Sequence, residues 1–232
     1  LLGFSEGAWA AMNAKPATGG AVFAIGDGST SANGTGALAI GNNAQAKTNG
    51  ALAIGPNSTN TTIAHSNNSI AIGVNLQATG QKAIGIGADT NVNGTSAIAI
   101  GNNDSGRMAN QGVNGNGAIG VGSNLTANGN LTVRGNNAIA VGTEAQAKAI
   151  SAVAVGADTQ ATGVEAVAIG KGAASTASKA LAFGQGAQAK ADDTVAVGTG
   201  AQATLANSIA IGKNSVATGE NNLPKNPANV GN

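Results

Sequence analysis

One four-residue phrase recurs along this chain: a bulky apolar residue, a small residue, a second bulky apolar residue, then glycine. It occurs thirteen times, from Phe23-Ala24-Ile25-Gly26 and Leu38-Ala39-Ile40-Gly41 to Val195-Ala196-Val197-Gly198 and Ile209-Ala210-Ile211-Gly212. The closing glycines fall at 26, 41, 55, 73, 87, 101, 122, 142, 156, 170, 184, 198 and 212, and eight of the twelve intervals are 14 residues. A unit this short cannot bury its own apolar face alone. It is stabilised by stacking against its neighbours, so a fixed period of this size predicts a solenoid.

A single repeat shows which solenoid. In residues 142–156, Gly142-Thr143-Glu144 reads as a turn and Ala145-Gln146-Ala147-Lys148 alternates small and polar. Ala149-Ile150-Ser151 turns again, and Ala152-Val153-Ala154-Val155-Gly156 is apolar throughout. Helix is the competitor because alanine favours it, but a glycine every few residues costs about 1 kcal/mol each relative to alanine. The bulky positions also recur at i and i+2, and many are β-branched, which is the strand period. One coil is therefore two short strands and two turns.

The two strands differ. The Ala145-Gln146-Ala147-Lys148 type, repeated at Ala187-Gln188-Ala189-Lys190, has one small face and one polar face, so one side meets water. The Val153-Ala154-Val155 type has no polar face, and a strand apolar on both faces is buried on both. One face packs inside its own coil. The other needs a cover that this chain has no spare element to supply, so the pattern predicts an oligomer. Whether the bulky residues or the alanines fill the coil interior is left open by the pattern.

Composition sets further bounds. Hydrophobic residues make up 42% of the 232 but aromatics only 2%, with 37 glycines, so the chain can fill many thin cores but no thick one. Charged residues are 9% and the net charge is +1, without the Lys/Arg clusters that phosphate neutralisation needs. Nucleic acid is not an expected partner. Cysteine is absent, which excludes thiolate chemistry and disulfides. No apolar stretch exceeds the short strands, so no transmembrane helix is expected.

No catalytic or cofactor constellation emerges. His65 is the only histidine, with no carboxylate near it in sequence, and reads as an ordinary loop residue. Asp192-Asp193 falls in the outer-strand or turn phase of a regular coil and reads as a solvated pair. Gly85-Ile86-Gly87 and Gly120-Val121-Gly122 are the repeat with glycine at the small position, and no helix follows them, so they are not phosphate loops. The expectation is a protein that is not an enzyme and that takes no cofactor or metal.

The ends differ from the repeats. Residues 1–20 hold Phe4, Trp9 and Met12 and are expected to cap the stack. Residues 21–219 are the repeat region, and 220–232 read as a linker or the start of a neck. The start lacks the basic region and long apolar core of a signal peptide, so the chain reads as a mature fragment.

Asn68-Ser69-Ile70-Ala71-Ile72-Gly73, Thr95-Ser96-Ala97-Ile98-Ala99-Ile100-Gly101 and Asn207-Ser208-Ile209-Ala210-Ile211-Gly212 carry a resemblance. The repeats resemble the YadA-like head domain of trimeric autotransporter adhesins over roughly residues 20–219. The resemblance implies an all-β fold, a left-handed parallel β-roll (solenoid) of about 14-residue coils assembled as a homotrimer. It further implies a virulence-associated adhesin on the outer membrane and cell surface of a Gram-negative bacterium, binding a host cell-surface receptor or extracellular-matrix protein. Membrane attachment would run only through a C-terminal anchor missing from this sequence.

Departures from the period point to where specificity sits. Three intervals are long: 18 residues from Gly55 to Gly73, 21 from Gly101 to Gly122 and 20 from Gly122 to Gly142. Extra residues leave a stack as loops, and loops on a rigid scaffold carry recognition. The expected partner-binding loops hold Ile63, His65, Arg107, Met108, Asn110, Val113, Leu131, Val133 and Arg134. Two other function classes compete with adhesion: a passive spacer that projects another adhesive tip, and an ice-binding solenoid. The latter would need a regular threonine ladder that this chain lacks.

Overall fold

The computed structural model describes residues 22–26, 29–55, 61–102, 112–123 and 132–218. The expected cap at 1–20 and tail at 220–232 lie outside the described residues. The chain divides into two compact units, Leu1–Gly117 and Ala118–Asn232.

The first unit runs β1 (Phe23–Ile25), β2 (Ser31–Ala32), β3 (Leu38–Ile40), β4 (Ala44–Ala46), β5 (Leu52–Ile54) and β6 (Thr62–Ala64). It continues through β7 (Ile70–Val74), β8 (Gln77–Ala78), β9 (Ile84–Ala88), β10 (Asn91–Val92), β11 (Ile98–Asn102) and β12 (Gly112–Val113). Odd strands stack in the order β1-β3-β5-β7-β9-β11, and even strands in the order β2-β4-β6-β8-β10-β12. Pairing is parallel and in register, as in Leu38↔Leu52 and Ala39↔Ala53. The first unit is thus a parallel β-solenoid with an odd sheet and an even sheet back to back.

The second unit repeats the plan. Its first half is β13 (Ile119–Ser123), β14 (Thr132–Val133), β15 (Ile139–Val141), β16 (Gln146–Ala147), β17 (Val153–Val155), β18 (Gln160–Ala161) and β19 (Val167–Ile169). Its second half is β20 (Ala174–Ser175), β21 (Leu181–Phe183), β22 (Gln188–Ala189), β23 (Val195–Val197), β24 (Gln202–Ala203), β25 (Ile209–Ile211) and β26 (Val216–Ala217). Here too the odd strands form one sheet in sequence order and the even strands the other. The two strands per coil read from residues 142–156 are β16 and β17.

The interior is made of small side chains. Ala140, Ala154, Ala168 and Ala182 of the odd sheet are fully buried against Ala147, Ala161, Ser175 and Ala189 of the even sheet. The Ser175 hydroxyl is satisfied by donating to the Ala180 carbonyl at 2.6 Å. This settles the face left open by the pattern. The alanines fill the coil, and the bulky residues of the odd sheet point outward.

Where the even side of a coil carries a larger interior residue, the odd strand gives way. Leu76 and Val92 are fully buried. Between them Gly85 takes the alanine position, and a Cβ there would lie 2.5 Å from Leu76 Cδ2 and 3.1 Å from Val92 Cγ2. Protein interiors hold total volume nearly constant, so the glycine at the small position is a packing requirement of that level.

Two turns close each coil. We call the one before an odd strand the entry turn and the one after it the exit turn. Entry turns hold one residue in the left-handed region, such as Ser151, Glu165 and Lys179, and exit turns hold one beside the closing glycine, such as Glu144, Asp158 and Gly172. Side chains other than glycine pay a steric cost there. Backbone bonds to the neighbouring coil hold them in place, such as Glu165 N–H to the Ile150 carbonyl at 2.9 Å and Asp158 N–H to the Thr143 carbonyl at 2.9 Å.

Candidate functional site

The outer surface of each unit has two unlike faces. On the even sheet, Gln146, Gln160, Gln188 and Gln202 point outward between interior alanines, giving a polar face. On the odd sheet of the second unit, two columns of bulky apolar residues face out: Ile139, Val153, Val167, Leu181, and beside them Val141, Val155, Ile169, Phe183. Within the single chain this face is only half covered, and Phe183 is 51% exposed. The odd sheet of the first unit is alike, with Leu38, Leu52 and Ile70 in one column and Ile40, Ile54 and Ile72 in the other. Continuous apolar faces of this kind mark interaction surfaces.

Register locates the extra residues of the long intervals. In a regular coil Ala44 lies three positions after Gly41, yet its partner Thr62 lies seven after Gly55, so four extra residues precede Thr62. Val92 lies five positions after Gly87, and Val113, two strands on in the same sheet, lies twelve after Gly101. Ala147 lies five after Gly142, and its partner Val133 lies eleven after Gly122. Every insertion therefore falls in an exit turn, between an odd strand and the following even strand.

This corrects part of the expected loop set. Ile63 is the middle residue of β6 and is buried. Val113 and Val133 close β12 and β14, and both are buried in the coil interior. They are strand residues, because the insertions precede them. Arg134 follows β14 and is exposed, its N–H donating to the Ala147 carbonyl at 3.2 Å. Arg107, Met108, Asn110 and Leu131 lie outside the described residues.

His65 follows β6 and is half-buried. Because Ala46 pairs with Ala64, His65 sits in register beside Lys47. Partial burial, and next the Lys47 ammonium, lower its pKa from the ordinary 6.5. A base with a depressed folded-state pKa binds fewer protons folded than unfolded, so its contribution falls as pH drops through 6.5 and levels off below the folded pKa. The chain should be less stable at pH 5 than at pH 7.5 in denaturant titrations, and His65→Gln should flatten that slope. A slope unchanged by the substitution would assign the effect elsewhere.

Among the described residues no group of three or more histidines, aspartates and glutamates could hold a metal ion. No helix there is long and apolar enough to cross a membrane.

Comparison with known families gives one finding. The model of the YadA head domain repeat matches residues 32–58 and 78–103, and then, in overlapping copies, 134–221. Together these cover more than half of the chain, and the match at 134–221 takes in most of the second unit. A search of curated proteins found no match.

Proposed function

We propose, from the premise that this chain belongs to the YadA head-domain family, that it is the head of a trimeric autotransporter adhesin. It stands on the surface of a Gram-negative bacterium and binds host cells or extracellular-matrix protein without catalysis. The observation that carries this reading is the repeat match itself, eight segments between residues 32 and 221. Function then follows from what such a surface offers: a stacked scaffold, insertions between its strands, and no catalytic constellation in the sequence.

The assembly we propose is a homotrimer of left-handed rolls. The outward columns of the odd sheet support it, since they are apolar and, among the described residues, no element lies over them. Copies of the same face can cover one another around a closed axis. Specificity is proposed to lie in the exit-turn insertions, which carry Arg107, Met108, Asn110 and Leu131, with His65 and Arg134 on the coils beside them. The coil surface itself is a repeated Gln and Lys pattern that gives a selective partner little to grip. Large and cationic side chains are the ones that concentrate binding energy.

Sedimentation of the purified chain should give three times 21.9 kDa. That trimer should bind host cells or matrix extracts. Cutting each long interval back to 14 residues should leave the trimer folded and reduce binding. If the untrimmed trimer binds neither cells nor matrix, the spacer reading replaces this one. If all trimmed forms bind as well as the parent, the specificity lies outside the insertions.

A further inference from the structure

The ends of the odd strands carry a charge pattern that the repeat does not require. In the second unit, β15 is preceded by Arg134 and followed by Glu144. β17 is preceded by Lys148 and followed by Asp158. At β19 the order reverses, with Glu165 in the entry turn and Lys171 in the exit turn. In the first unit β9 has Lys82 before it and Asp89 after it. These four strands carry opposite charges at their two ends, and the reversal at β19 keeps the rule.

The two ends of one strand cannot meet within a chain. Three strand residues at about 3.3 Å each hold the turns about 10 Å apart or more. They can meet between chains. In a closed ring whose axis runs along the stack, contacts are heterologous, so one edge of a subunit meets the other edge of the next. With the odd strands level, the entry turn of each strand then lies beside the exit turn of the same strand in the neighbour. Opposite charges at the two ends attract in that arrangement, and a slip by one coil would set Glu165 against Asp158.

The entry turns of these levels have a second feature. Ile150 and Val164 are 53% and 43% exposed. The matching positions elsewhere in the second unit hold Asn136, Ser178, Asp192 and the smaller Ala206. Both lie three residues before an odd strand, beside the apolar columns at Val153 and Val167. The apolar face thus extends round the edge at two of these levels, those of β17 and β19.

We propose that the occupant of this edge is a second copy of the chain. The entry turns holding Arg134, Lys148 and Glu165 pack beside the exit turns of a neighbouring copy holding Glu144, Asp158 and Lys171, and the three ion pairs fix the vertical register of the ring. This rests on the homotrimer reading above. Exposed ion pairs contribute little to stability one by one, but like charges brought face to face suppress wrong registers.

The absence of cysteine makes the test direct. A chain with Glu165→Cys and Lys171→Cys has two thiols that cannot close within one chain, since a disulfide needs Cα atoms within about 7 Å. After mild oxidation, a denaturing gel without reductant should show linked chains up to three. The single variant Gln188→Cys, on the outer face of the even sheet, should stay at one chain. In parallel, Lys148→Glu should shift dissociation to several-fold higher protein concentration, and adding Asp158→Lys in the same chain should restore the parent value. Single-chain bands from a double-cysteine variant that still sediments as a trimer would overturn the pairing and leave the trimer standing. Sedimentation of the parent at the mass of one chain would overturn the trimer itself, and the pairing with it.

Discussion

Ala154→Asp is expected to prevent its coil from forming, whereas Val155→Asp is expected to leave the coil and break the assembly. The two positions are adjacent in β17 and both apolar, so sequence gives no reason to treat them differently. The structure does. Ala154 is fully buried between the sheets, while Val155 points out of the coil and is half exposed in the single chain. A carboxyl group at Ala154 would have no partner among alanines, at a cost of about 2–7 kcal/mol. It would also overfill a space sized for a methyl group. Because a solenoid is stabilised by nearest-neighbour contacts, losing one coil uncouples those on either side. At Val155 the carboxylate stays in water in the single chain, and in the proposed trimer its penalty falls on association. Far-ultraviolet circular dichroism and sedimentation separate the two: the first variant loses β signal, and the second keeps it while its mass falls. Equal loss of β signal in both variants would contradict the assignment of faces.

That distinction marks the limit of what the pattern could say. The strands at 146–147 and 153–155 were legible because alternation and β-branching fix a period of two. The facing was not, because alanine and valine are both apolar and a doubly apolar strand has no polar side to betray its outside. What decides it is the distance between the sheets, which admits a methyl group and little more. A signal was present in the sequence nonetheless. Where Leu76, just before β8, and Val92 in β10 replace alanine, Gly85 replaces alanine in the odd strand between them. Such exchange of volume implies that these positions share one interior. Val113 and Val133 were not legible as interior residues, because the closing glycines give only the length of an interval and the register alone puts each insertion ahead of the even strand. The charge alternation at strand ends was equally written in the sequence, but it means nothing until the entry and exit turns are known to lie on opposite edges of one sheet.

The closing glycines were legible as a repeat, but only the backbone explains why they tolerate nothing else. Gly73 has φ of +142°, in a region that side chains rarely enter. A Cβ there would also collide with the carbonyl of Gly87, its partner in the next coil. Strain of about 1–3 kcal/mol from the dihedral adds to about 1–3 kcal/mol for overpacking, and the neighbouring backbone cannot move without breaking the ladder to β9. Gly73→Ala should therefore cost several kilocalories per mole in denaturant unfolding, a large share of what holds a domain folded. Gly172 makes the control. Its φ is +67°, and a Cβ there would meet nothing within 4 Å. The same turn position in other coils is filled by Asp158 and Asn214, both left-handed. Gly172→Asn should change stability by less than about 1 kcal/mol, since asparagine tolerates this conformation. Equal losses at Gly73 and Gly172 would mean that the repeat keeps glycine for freedom of the backbone alone. A loss confined to Gly73 would mean that the stacking distance between coils, set by one carbonyl against one missing methyl group, is what the four-residue phrase conserves at every turn of the solenoid.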